Sequence, residues 1–445
     1  MRAVVRGAVA PRVMPIEGAV VGLMLLALTA IVIVSPALLT ALKVGYVTNG
    51  GPGYQKLHPA TYLTFAAFAA MLLKRGDPIG EIDRVATSAK LLIVFLACWL
   101  LLVLECLVLT RPFTPLIDDF LLPVSFSVIV WTMTASQKRP FVWALHLFVW
   151  ANIAAGYFEY FSGHRLIPLT VGKLVVYGEW RSTAFLGTPL AASSVIALYA
   201  MALALRPELC RPILLRIPAI VLSVGSLMAF GGRTALMSVL VVLACMALIT
   251  AFRLINGRRF AMPAIMLAIS AVFVLSAAIV LLYQHGTFDN MVNRFSTDKG
   301  SADARFMSLR LLSLLDWKEI VIGTSPTHGV SLQTIMGLRY GIESFWIACI
   351  VQYVVVGTLV ITIGLGCFVV ELLRRSDPAA RVAILFLFVD ASSSVSFSAK
   401  NITLAALIAL VVILFPRELP KVRAIPVRRF GGDTVPPRLS PAGVR

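Results

Sequence analysis

Arg233 lies in Ser226-Leu-Met-Ala-Phe-Gly-Gly-Arg-Thr-Ala-Leu-Met-Ser-Val-Leu, between two long apolar runs. A guanidinium at the end of a membrane helix is costly unless it has a partner or a task. Its planar fork suits phosphate or carboxylate oxygens. Arg181, Arg305, Arg310, Arg339 and Lys400 also fall near the ends of apolar runs or on an apolar helical stretch. Several arginines meeting at one membrane face would hold a diphosphate group. Each also has a plainer reading, as a residue that snorkels to lipid phosphates or pairs with a nearby acid. Gly231 and Gly232 favour a ligand at Arg233, because they permit close backbone approach. Arg305 and Arg310 stand about 140° apart around a helix and need not share one ligand.

Groups that could accept a proton are few. His328 lies in Gly323-Thr-Ser-Pro-Thr-His-Gly, and Glu343 lies in Gly341-Ile-Glu-Ser-Phe-Trp. His164 and His285 begin other loops. Histidine suits base work near neutral pH, and a carboxylate at a partly buried helix start can be tuned for the same task. Glu343 could equally serve the dipole of the helix that follows it. Asp390 stands in a Ser-rich apolar run ending at Lys400, where an acid is either functional or paired inside a bundle, toward Lys400 or an arginine. Glu105 reads similarly. No DxD, HExxH, Walker or Rossmann pattern is present, so nucleotide and metal chemistry have no motif behind them and no cofactor is expected.

The elements that must position these residues follow from composition. The chain has 445 residues, 59% hydrophobic and 13% charged, with a mean hydropathy of +0.91. Helices that cross a bilayer need about 20 apolar residues each, and only helices or closed barrels satisfy the backbone in lipid. The expectation is an all-α polytopic membrane protein with about twelve transmembrane helices, at 19–42, 58–73, 91–110, 120–135, 141–161, 187–205, 213–231, 234–252, 260–284, 343–372, 379–397 and 401–416. The first run exceeds a signal-peptide core and reads as an uncleaved span. Residues 1–416 then form one integral domain. The tail 417–445 is basic, rich in proline and expected to be disordered.

Positive charge gathers at Lys74-Arg75, Lys138-Arg139, Arg206/Arg211/Arg216, Arg253/Arg258/Arg259 and Arg374-Arg375. The positive-inside rule places these loops, and both termini, in the cytoplasm. The net charge of +18 is scattered between spans and does not form a nucleic-acid surface. Two outer loops stand out, 162–187 and about 285–342. The second contains a helical pattern at Ala302–Leu315, with Ser301 or Asp303 as a possible cap. Cys98, Cys106, Cys210, Cys245, Cys349 and Cys367 form no CxxC and suggest neither a disulfide framework nor a metal site. With no internal repeat, a transporter or flippase is the weaker alternative.

Three stretches together resemble the O-antigen ligase and Wzy-type polysaccharide polymerase superfamily, and within it the VpsF-like exopolysaccharide polymerases. They are Glu179-Trp-Arg-Ser-Thr-Ala-Phe-Leu-Gly-Thr-Pro-Leu-Ala, Phe230-Gly-Gly-Arg-Thr-Ala-Leu, and Asp316 to His328 followed by Gly341-Ile-Glu-Ser-Phe-Trp. The likeness covers roughly residues 150–415. It implies a GT-C-like helical bundle with one large periplasmic loop containing helix. The implied activity is metal-independent transfer of a glycan from an undecaprenyl-diphosphate carrier, in exopolysaccharide or O-antigen biosynthesis at the bacterial inner membrane. Arg181, Arg233 and Arg305 match positions that would hold the diphosphate. A repeat-unit flippase and a chain-length regulator are implied partners. Ligases of this superfamily carry a histidine where this chain has Glu343-Ser344, which favours polymerisation over ligation. It leaves Glu343 the positional candidate for a base and His328 the chemical one.

Overall fold

The computed structural model describes residues 15–48, 50–73, 76–171, 174–176, 178–210, 212–257, 266, 270, 273, 284, 301–322, 326–338, 341–393 and 400–417. Among these residues the regular structure is helical, joined by loops, apart from a two-residue antiparallel ladder, β1 (Thr170–Val171) with β2 (Leu174–Val175). In order the helices are α1 (Pro15–Ile33), α2 (Pro36–Ala41), α3 (Pro59–Leu73), α4 (Pro78–Ser88), α5 (Lys90–Val108), α6 (Thr114–Leu116), α7 (Leu122–Thr132), α8 (Ala135–Ser162), α9 (Pro189–Leu205), α10 (Ile213–Phe230) and α11 (Arg233–Ile255). From residue 301 on come α12 (Ser301–Ser313), α13 (Trp317–Ile322), α14 (Pro326–Ile335), α15 (Phe345–Arg375), α16 (Ala380–Ser393) and α17 (Thr403–Leu414).

Six of the helical segments are long and apolar enough to cross a membrane, and four shorter ones are apolar over 10–17 residues. Of the expected span at 260–284 only residues 266, 270, 273 and 284 are described, all helical, and the tail from 418 lies outside the described residues. Two expected spans need correction. The run 19–42 is interrupted at Ser35-Pro36, where Ser35 leaves the helix and caps α2 through the Leu38 amide (3.2 Å). The span expected at 120–135 starts earlier, at Thr114, and passes through a π-turn at Ile117–Leu121 before α7. That shift carries Asp118 and Asp119 into the helix.

Local chemistry explains the boundaries. Thr134 and Gln137 form a reciprocal capping box at the start of α8, and Gly163 ends it in the left-handed region (φ 70°). Thr188 caps α9 with Pro189 at its first position. Nearly every side chain of α9 and α17 is buried, so these helices form the centre of the bundle. The alanines of α9 let neighbours approach closely. Outward faces of α5 and α11 expose Leu100, Leu101, Leu104, Leu248, Ile249 and Phe252, as helices in lipid do.

Contacts fix two ends of the bundle. At one, buried Arg206 after α9 pairs with Glu208 and lies 3.7 Å from Asp377. It also donates to the Pro416 carbonyl (3.3 Å), while Arg375 pairs with Glu371 and donates to the Ser88 carbonyl (both 2.7 Å). At the other end α9, α15 and α17 begin. There α12, α13 and α14 fold into a small satellite core of Leu311, Leu315, Leu332, Leu338 and Ile342 against Ile347 and Ala348 of α15. The helix expected from Ala302 is α12, and it packs on the bundle as a helical cover.

α15 is broken within its length. Tyr353 (φ −124°, ψ 16°) and Val354 (φ 53°, ψ 175°) leave helical geometry, and Arg111 donates to the Gln352 carbonyl (2.5 Å). A left-handed β-branched residue is strained. Beside this break a carboxylate oxygen of Glu105 is buried without a hydrogen bond, and the Glu105 carboxylate lies against Gly357.

Candidate functional site

The site assembles where α15 begins. Gly231 (φ 65°) closes α10, and Gly232 sits so near Ser193 of α9 that a Cβ there would come within 2.3 Å of the Ser193 hydroxyl. Only glycine permits this turn. It places Arg233 as the first residue of α11, whose N-terminal amides receive no side-chain cap from Gly232. The next residue, Thr234, accepts a hydrogen bond from Ser393 at the end of α16 (3.4 Å). Arg305 of α12 donates to the Ser393 carbonyl (3.5 Å), and its guanidinium lies 3.7 Å from the Glu343 carboxylate. Glu343 is held from behind by its own amide, which donates to Ser308 of α12 (3.3 Å). Trp346 of α15 donates to Ser392 (3.0 Å). Four segments far apart in sequence thus meet around Arg305 and Glu343, with Arg233 next in the chain to the Thr234 that touches Ser393.

Arg181 lies in the loop after α8, with its side chain on Glu179. Ser182 donates to the Ala229 carbonyl (3.0 Å), setting this loop against the end of α10 just before the Gly231-Gly232 turn. Two charges, buried Glu159 and half-buried Arg165, shape the loop. Glu159 accepts from the amides of Leu166 (2.9 Å), Thr183 (2.7 Å) and Ala184 (3.0 Å). Arg165 donates to the carbonyls of Glu179 and Arg181. Burial lowers the affinity of the Arg165 guanidinium for its proton, while Glu159 and Glu179 oppose that effect. The Arg181 guanidinium is engaged twice by Glu179 (2.9 and 2.8 Å).

The other expected site residues have separate places. Arg310 is exposed further along α12. Arg339 lies outside the described residues. His328 of α14 pairs with Glu319 of α13 (3.5 Å), so the two candidate bases belong to two different pairs. Glu343, not His328, shares a pair with one of the expected arginines.

Asp390 and Lys400 do not form the pair expected of them. Asp390 is buried in α16, facing Ser194 of α9, with one oxygen lacking a hydrogen bond. Lys400 turns instead to Asp118, 3.7 Å away, with side-chain exposures of 7% and 0%. It also donates to the carbonyls of Val47 (3.2 Å) and Lys56 (2.5 Å) and lies over the Tyr46 ring (4.1 Å). Asp118 lies in the π-turn, fully buried where the chain before α17 arrives. Asp118 also accepts from the Tyr46 hydroxyl (2.7 Å), the Thr61 hydroxyl (2.6 Å) and the His58 amide (3.2 Å). Burial and the two carboxylates hold the Tyr46 phenol well above its usual range, so it stays a donor. Asp119 accepts from the Asn401 amide (3.0 Å). This saturated network ties the loop before α3 and the start of α17 to the core. Adjacent acids flanked by apolar residues were the available sequence signal.

Among the described residues no group of three histidine, cysteine or acidic side chains is placed to hold a metal. The chain matches no family model, no curated protein and no solved structure.

Proposed function

We propose that the chain polymerises undecaprenyl-diphosphate-linked glycan repeats at the periplasmic face of a bacterial inner membrane, as a glycosyltransferase that works without a metal. The observation that carries this reading is the meeting of Arg305 with Glu343 and with the carbonyl of Ser393, whose hydroxyl reaches Thr234 beside Arg233. Two arginines and a carboxylate from three segments lie at one end of an apolar bundle, where a lipid-borne anion and a hydroxyl acceptor could meet. The cation-rich opposite end, with Arg206, Arg374, Arg375 and Arg417, fits a cytoplasmic face. In this reading about twelve helices span the membrane and the α12–α14 cover is periplasmic.

In the reaction, an acceptor hydroxyl on one lipid-linked glycan attacks the anomeric carbon of another. The hydroxyl proton passes to Glu343, a new glycosidic bond forms, and the bond to the carrier diphosphate breaks. Arg233, Arg305 and Arg181 stabilise the negative charge that grows on the departing diphosphate. Arg305 also keeps the Glu343 carboxylate in place until substrate arrives.

The test is the size profile of lipid-linked and exported glycan in a strain lacking this protein. Single repeats that accumulate, and become a ladder when the gene is restored, support polymerisation. Full-length polymer stranded on the carrier would mean ligation to another acceptor. Repeats trapped inside the cell would mean transport, the reading favoured by the break in α15, since transporters bind at discontinuous helices.

A further inference from the structure

The loop after α8 contains an anion receptor already filled by the protein itself. Glu179 and Arg181 are two residues apart on an open stretch of backbone, so their side chains lie on one side of it. Three donors of Arg181 converge on the Glu179 carboxylate: the Nε (2.9 Å) and Nη2 (2.8 Å) of the guanidinium and the backbone amide (3.3 Å). A forked guanidinium beside a backbone N–H also suits two oxygens of a phosphate. Both side chains keep some contact with solvent, 19% for Arg181 and 18% for Glu179, so the pair can open.

Other groups also hold the rest of the loop. Arg165 grips the backbone carbonyls of Glu179 and Arg181, Glu159 grips three loop amides, and Ser182 is fixed to Ala229. Two arginines and two glutamates balance within this cluster, but they are not equivalent. Glu159 is 4% exposed and both its oxygens serve loop amides, whereas the Glu179 carboxylate takes three donors from Arg181 alone of the two arginines.

We infer that Glu179 is a resident stand-in for an incoming phosphate oxyanion, displaced from Arg181 when the ligand binds and returning when it leaves. The inference rests on the reading of Arg181 as an anion-binding residue. Glu179 keeps the empty site neutral, and the apparent affinity for phosphate falls by the fraction of time the receptor is self-occupied. It also supplies a replacement partner for Arg181 as the diphosphate departs, which speeds release of the used carrier.

The test is calorimetric titration of the full-length protein in detergent micelles, with inorganic pyrophosphate and separately with a polyprenyl diphosphate. Glu179→Gln should tighten binding about fivefold. Glu179→Asp, too short to grip both guanidinium nitrogens, should tighten it less. Arg181→Ala should weaken it at least about tenfold. Tightening with both ligands identifies a receptor for free phosphate as well as lipid, and tightening with the polyprenyl ligand alone restricts it to the carrier. If both Glu179 variants bind no more tightly than wild type while Arg181→Ala binds worse, Glu179 is a strut and the inference fails, leaving Arg181 its role. If Arg181→Ala binds as wild type does, the anion-binding role of Arg181 falls and the inference with it.

Discussion

Arg305 reaches Glu343 and the Ser393 carbonyl at distances long enough to leave it free to adjust to a ligand. Its replacement by alanine should therefore cost the reaction and not the fold. Arg305→Ala is expected to lower polymer output by about 10²-fold or more at unchanged protein level, by analogy with loss of one oxyanion donor. A quantified glycan ladder beside an immunoblot checks this. Lys400→Ala should behave oppositely. It strips the partner from a fully buried Asp118 and should destabilise the protein by about 3–5 kcal/mol, read as a lowered melting temperature in detergent. Arginines at span ends were legible in the sequence because charge is rare there. The direction of Lys400 was not, since it depends on a π-turn about 280 residues earlier that no local pattern announces. Nor was the Glu179–Arg181 pair legible, although its members stand two residues apart, because spacing alone does not decide whether an arginine meets a neighbouring acid or a ligand.

At the scale of elements, the turn between α10 and α11 decides where Arg233 sits. A methyl group on Gly232 would strike both the Cβ and the hydroxyl of Ser193, within 2.4 Å. Gly232→Ala is expected to push α11 from α9 and abolish activity, and Gly232→Ala with Ser193→Gly should restore part of it. If the single variant has wild-type activity, Arg233 is not held by this turn. Most helices were legible as apolar runs bounded by proline, glycine and capping residues. Where they failed, a polar interruption was outvoted by its apolar flanks, as at Ser35-Pro36, or an early start was hidden by Pro115 and two acids, as at Thr114. The break in α15 has no proline or glycine at Tyr353-Val354 and only tertiary contacts, with Arg111 on the freed carbonyl, reveal it.

For the whole molecule, apolar faces, a buried α9–α17 centre and segregated polar ends agree with the hydropathy and charge pattern of the chain. Single cysteines placed at Arg310 and at Arg374 should be labelled by a membrane-impermeant reagent from opposite sides of the membrane. Labelling of both from one side would refute the arrangement of ends. What composition could not convey is which distant segments meet, because convergence at Arg305 and Glu343 arises from packing of α12 on α15 and α16. The most direct measurement is chain growth by the purified full-length protein in liposomes, supplied with polyprenyl-diphosphate-linked repeat units. We expect products of increasing length with wild-type protein and only single repeats with Arg305→Ala. Equal chain growth by both proteins, or none by a folded wild type with its lipid-linked repeat present, would contradict the proposed function.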